Sequence, residues 1–167
     1  MIVHPAVISS PEAVQPARPP TQPPVSLSLE GQVQNALNLW LPLKSRAQMP
    51  ALLAALNTPE MRDEVHSALS GLHYVHFARF MPSPDGSILW VITEYDGGLQ
   101  SYLMDFVATL GTVFTAILQF VQGAPRLPVQ RYPRDFVKFI DAHNLPIEAW
   151  SAYPDMTVID ILQGGSA

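Results

Sequence analysis

Cysteine is absent from the 167 residues, and charged residues are scarce at 14%. Without Cys, the chain has no disulfide, no thiolate nucleophile and no Cys-ligated zinc site. With a net charge of −5 and no run of Lys or Arg, it lacks the basic patch that nucleic-acid binding requires. The motifs of nucleotide-binding loops, zinc proteases and serine hydrolases are also missing. The low positive charge disfavours nucleic-acid binding, and the missing motifs disfavour nucleotide binding, zinc proteolysis and serine hydrolysis.

The low charge also bears on assembly, because an average chain carries about 25% charged residues. Hydrophobic residues make up 48% of this chain, enough for one domain with a sizeable core. Fewer surface charges leave room for an apolar interface, so we expect a homo-oligomer, with a dimer as its unit. No secretory signal is visible at the N-terminus, and the cytoplasm is the expected compartment. Residues 106–121 carry no charge, but 16 residues fall short of the roughly 20 needed to span a membrane.

The first 30 residues differ in composition from the rest. Seven of the first 24 are Pro, which favours an extended polyproline conformation or disorder over helix and central strand. We therefore divide the chain into an arm over residues 1–30, a domain over residues 31–163 and a tail over residues 164–167. The arm is read either as a disordered tail or as a segment that docks onto a partner.

Residues 74–98 organise the domain. Two runs of aromatic and β-branched residues flank a polar segment that contains Pro82, Pro84 and Gly86, which is the pattern of a β-hairpin. Alternating residues 35–44 predict a strand before it. Periodic apolar residues predict helices over 47–56, 58–69, 99–122 and 134–143. Residues 147–153 are predicted as a short strand, and residues 156–162 as a last strand or a short helix.

This element order predicts an α+β domain with an antiparallel sheet and helices on one face. It is the β-α-β-β-α-β order of ferredoxin-like folds, with one extra C-terminal helix. Strand alternation places Leu, Val and Arg79 on the helix side of the sheet. The other face then collects Asn38, Trp40, His76, Phe80, Trp90 and Glu94. That face is too apolar for water, so we expect a partner subunit or a ligand to cover it.

The element order, with HFARF followed by LWVITEYDG, resembles the dimeric α/β-barrel superfamily over about residues 35–160. That superfamily includes small antibiotic-biosynthesis-type monooxygenases, heme-degrading enzymes and the halves of dye-decolourising peroxidases. The resemblance implies a homodimer and a pocket near the central hairpin. It includes no catalytic motif, so it does not imply a particular reaction.

His76 is the leading candidate for chemistry, because an imidazole on an aromatic face serves as a base near neutral pH or as a heme ligand. Glu94, on the same predicted face, is expected to orient it. The alternative for His76 is a hydrogen-bonded interface residue. Asp96 is expected to cap the following helix, with Gly97 at the bend.

Arg79 is predicted either to form a buried salt bridge with Asp96 or Asp105, or to anchor a carboxylate or propionate. The predicted ligand-binding residues are Trp40, Arg79, Trp90, Tyr95 and Tyr102. Two functions follow. One is a small oxidative enzyme, or a protein that binds heme or a small apolar ligand. The other is a non-catalytic accessory protein that uses the aromatic face and the arm for assembly.

Overall fold

Three antiparallel strands form the sheet in the computed structural model, which describes residues 27–164. They are β1 (Gln34–Pro42), β2 (Val75–Pro82) and β3 (Ile88–Asp96). The strand order is β1-β3-β2, and β3 runs antiparallel to both neighbours. The predicted α+β class, its antiparallel sheet and its central hairpin are thereby confirmed. The described residues contain no fourth strand, so the full ferredoxin-like order stays a prediction.

Five α-helices accompany the sheet. They are α1 (Met49–Leu56), α2 (Pro59–Leu72), α3 (Leu99–Leu118), α4 (Pro133–His143) and α5 (Val158–Leu162). Short 3-10 turns at Arg46–Gln48 and Val129–Arg131 precede α1 and α4. Thr58 caps α2, since its hydroxyl accepts the Met61 N–H at 3.3 Å. The helix extends three residues past the predicted end at residue 69, and His73 takes the left-handed C-cap position with φ of 51°.

The core lies between the sheet and helix α3. The Leu side chains of β1 and the odd-numbered side chains of β3 from Leu89 to Tyr95 are almost fully buried there. Helix α3 is long and apolar enough to cross a membrane, yet 56% of its most apolar stretch is buried inside the domain. A mostly buried apolar helix is typical of a protein core.

A β-bulge in β2 overturns the predicted faces of that strand. Val75 pairs with Tyr95, but Phe77 pairs with Glu94, so His76 is an extra residue on the β2 side. A bulge reverses the alternation that follows it. Phe77, Arg79 and Met81 therefore lie on the sheet face opposite helix α3, together with Trp90 and Glu94. The predictions for Arg79 and for Phe80 were wrong, since Phe80 packs against the core.

The predicted strand over residues 147–153 does not form. Residues 144–153 instead run along the free edge of β1, and side chains from this stretch accept hydrogen bonds from backbone N–H groups of the strand. Asn144 Oδ1 accepts the Asn38 N–H at 2.9 Å, and Glu148 Oε2 accepts the Ala36 N–H at 2.8 Å. Covering an edge in this way prevents further strand pairing. Residues 158–162 form a short helix and not a strand, which were the two alternatives for this region.

Residues 1–26 of the predicted arm and residues 165–167 of the predicted tail lie outside the described residues.

Candidate functional site

A cavity of about 360 Å³ lies between the sheet face opposite α3, called the open face, and the C-terminal segment, residues 149–161. The sheet contributes Gln34, His76, Phe77 and Glu94 to its lining. The C-terminal segment contributes residues 149–153, with Trp150 among them, and Ile161 from α5. An apolar cavity with a few convergent polar groups is the usual form of a small-molecule site, and this volume lies within the roughly 300–1,000 Å³ range of such sites.

His76 is paired with Asp96 at the sheet side of the cavity. His76 Nε2 lies 2.7 Å from Asp96 Oδ1, and the two side chains are only 8% and 12% exposed. Because an ionised carboxylate only accepts hydrogen bonds, Nε2 carries the proton in this pair. Nδ1 has no partner among residues 27–164 and is the ring nitrogen left to accept a proton. His76 is the extra residue of the bulge in β2.

Asp96 does not cap helix α3, contrary to the prediction. The N-cap of α3 is Gly98, which has no side chain for capping. The second oxygen of Asp96, Oδ2, instead accepts the N–H of Val158, the first residue of α5, at 2.7 Å. Gly97 takes the bend with φ of 86°, as expected. One carboxylate thus holds both the imidazole and the helix that closes the cavity.

Glu94 is half-buried on the same face, and this burial raises the pKa of its carboxyl above the ordinary value. The positive charges of Arg79 and His76 oppose the rise, whereas the charge of Glu148 adds to it. Within the described part of the chain, the Glu94 side chain forms no hydrogen bond or ion pair. It is therefore a carboxylate that the fold leaves free to receive a donor.

Gln34 lines the cavity and has a buried oxygen without a donor. Its Nε2 donates to the backbone oxygens of Tyr153 at 2.7 Å and Met156 at 2.5 Å. Since both neighbours are acceptors, the orientation of the amide is determined, and Oε1 must point away from them. Gln34 is only 6% exposed, and its buried Oε1 has no donor in residues 27–164.

The structure places some of the predicted ligand-binding residues elsewhere. Tyr95 and Tyr102 are in the core, each 2% exposed, with stacked rings 3.9 Å apart. Burial raises the pKa of Tyr95 to about 12, and the Tyr102 hydroxyl is bonded to Thr93 at 2.8 Å. Trp40 and Trp90 face each other on the open side of the sheet but do not line the cavity.

Arg79 is exposed and lines a shallower neighbouring cavity together with Phe77, Glu94 and Trp150. It makes no salt bridge with Asp96, which binds His76, or with Asp105, which accepts the Tyr74 hydroxyl at 3.1 Å. The predicted buried ion pair of Arg79 was therefore wrong. Its predicted role as an anion anchor stays a prediction, as does the chemical role of His76, whose hydrogen-bond partner is Asp96 and not Glu94.

Sequence reasoning missed Gln34, Phe77 and Trp150 as cavity residues and missed Asp96 as the partner of His76. No local motif marks them, because they meet through the bulge and through contacts between opposite ends of the domain. The described residues contain no group of three side chains suited to a metal ion. Comparisons with protein-family models, curated proteins and solved structures find no significant match.

Proposed function

We propose that the protein is a small enzyme that binds a small apolar or aromatic molecule in this cavity and removes a proton from it with His76. The observation that supports the proposal is the His76–Asp96 pair in a cavity with largely apolar walls. The Nδ1 atom of His76 accepts the proton. The Asp96 carboxylate stabilises the imidazolium that forms and holds the ring in one tautomer.

Glu94 shares the cavity with His76, but Asp96 takes the orienting role that was predicted for Glu94. The apolar walls limit water around the reacting group, which strengthens each electrostatic contact inside the cavity.

Heme fits these residues poorly. The cavity lies near the small end of the range for ligand sites, and a porphyrin needs a long slot with cations for its two propionates. Here His76 is flanked by the carboxylates of Asp96 and Glu94, and the neighbouring cavity offers Arg79 as a cation. We therefore assign no step to heme. An absorbance spectrum of the purified protein checks this assignment, and a Soret band would contradict it.

A general-base probe tests the proposed chemistry. In 5-nitrobenzisoxazole, a base removes the proton on C3, the N–O bond breaks, and a coloured phenolate is released. We expect the protein to turn over this probe and His76→Gln to lose about 10²-fold or more of the rate. His66→Gln is the matched control, because His66 is exposed on α2. An unchanged rate in a folded His76→Gln variant would contradict the proposal.

A second function, assembly with a partner, is favoured by a separate observation. Beyond the cavity, the open face of the sheet still presents Trp40, Trp90 and Ile92 half-buried, and Met81 exposed. Several large apolar side chains on one open face are typical of an interface. We propose that a second copy of the chain covers it, which is compatible with the enzyme function.

A further inference from the structure

Glu94 brings an acceptor without a donor to the cavity. Its carboxylate is half-buried and forms no hydrogen bond or ion pair with the residues described. A partly buried acceptor without a donor costs free energy that a ligand donor would recover. This carboxylate indicates a ligand that brings N–H or O–H groups.

The charges around the cavity are mainly negative. Glu94 lies in it, Asp96 is bonded to His76, and Glu148 acts on both Glu94 and Tyr95. The opposing positive groups are Arg79, which is exposed in the neighbouring cavity, and His76 when it is protonated. Within residues 27–164, three carboxylates against one permanent cation attract a positively charged ligand and repel an anion.

Aromatic side chains form the outer walls. Phe77 is 67% exposed and Trp150 is 60% exposed, and both line the cavity beside Glu94. Exposed aromatic faces next to a carboxylate are suited to an organic cation, because the ring faces attract positive charge.

We propose that the ligand of this cavity is an organic ammonium, that is, an amine on a small apolar or aromatic body. Its N–H groups donate to Glu94, and its apolar body lies between Phe77 and Trp150. This inference rests on the proposed function, since it names the class of molecule that the same cavity binds.

Three probes of similar shape test the charge of the ligand: benzylammonium, benzyl alcohol and benzoate. In calorimetric titrations of the full chain, we expect benzylammonium to bind at least about tenfold more tightly than benzyl alcohol, and benzoate to bind weakest. Glu94→Gln should abolish the preference for benzylammonium. Arg79→Gln should increase it, because the variant removes the competing cation. Glu60→Gln is the control, since it removes the same charge from an exposed position of α2.

The outcomes separate this inference from the proposed function. If benzyl alcohol binds as tightly as benzylammonium, or if none of the three binds, the ammonium inference is wrong. Turnover of 5-nitrobenzisoxazole by His76 would still support the base. If benzoate binds most tightly and Arg79→Gln abolishes its binding, Arg79 is an anion anchor and the inference is overturned. If benzylammonium binds selectively but His76→Gln leaves turnover unchanged, the proposed base fails while the ligand class stands.

Discussion

Asp96 Oδ1 accepts a hydrogen bond from His76 Nε2 at 2.7 Å across the bulge of the β2–β3 pair. The other oxygen of the same carboxylate accepts the first N–H of α5. The position of the proposed base and the position of the cavity wall therefore depend on a single side chain.

Replacing Asp96 with Asn should weaken both contacts, because the amide is neutral and offers one acceptor oxygen in place of two. We expect the free energy of unfolding to fall by about 1–3 kcal/mol. Turnover of 5-nitrobenzisoxazole should fall about tenfold or more, because His76 loses the charge that stabilises its protonated form. Urea denaturation and a rate assay measure the two effects. Asp155→Asn is the control, since Asp155 is exposed; loss of stability without loss of rate would contradict the role of Asp96 at the base.

Replacing Glu94 with Gln should stabilise the protein at neutral pH. The pKa of Glu94 is raised above its ordinary value of 4.5, mainly by burial, so the folded state binds this proton more tightly than the unfolded state. Stability from this group therefore increases as the pH falls toward 4.5 and decreases as the pH rises through the raised pKa.

The melting temperature of Glu94→Gln should exceed that of the wild type by a few degrees at most at pH 7, since solvent screens a half-exposed group. The gain should vanish below about pH 4.5, where the wild-type carboxyl is protonated in both states. Melting curves across this range measure it, with Glu60→Gln as the control. A gain that grows on acidification would refute the assigned direction.

The bulge at His76 predicts different effects for two neighbouring Phe residues. Phe80→Ala should lower the free energy of unfolding by about 2–4 kcal/mol, because Phe80 packs against the core. Phe77→Ala and Arg79→Ala should change it by less than about 0.5 kcal/mol, because both side chains are exposed. Urea denaturation distinguishes the residues. A large loss for Phe77→Ala with a small one for Phe80→Ala would show that the strand lacks the bulge.

The remaining open face of the sheet predicts a dimer. One chain has a mass of 18.4 kDa, and at micromolar concentration light scattering should give twice that mass. Trp90→Asp should shift the protein to monomers, because it places a charge in the centre of the apolar face. His66→Asp, on the helix side, is the control and should leave the mass unchanged. A monomeric wild type would remove the proposed interface and the barrel arrangement with it.

Local sequence determined the hairpin, the helices and most of the core. The hairpin turn follows from short-range chemistry: the Ser83 hydroxyl donates to Asp85 Oδ1 at 2.7 Å, and Gly86 adopts φ of 71°. Thr58 and Pro59 begin α2 in the same local way. The spacing of apolar residues in α3 was enough to predict which of its faces is buried, because a regular helix repeats over its whole length.

Tertiary structure decided the site. Alternation along β2 is a local rule, but the bulge that breaks it depends on the register with β3, so Arg79 and Phe80 were assigned to the wrong faces. The role of Asp96 depends on Val158, which lies 62 residues away in the sequence. Residues 147–153 have the composition of a strand, yet side chains of Asn144 and Glu148 occupy the edge of β1 that a strand would need. These contacts join distant parts of the chain, and their geometry is set only when the sheet, the bulge and the C-terminal segment pack together.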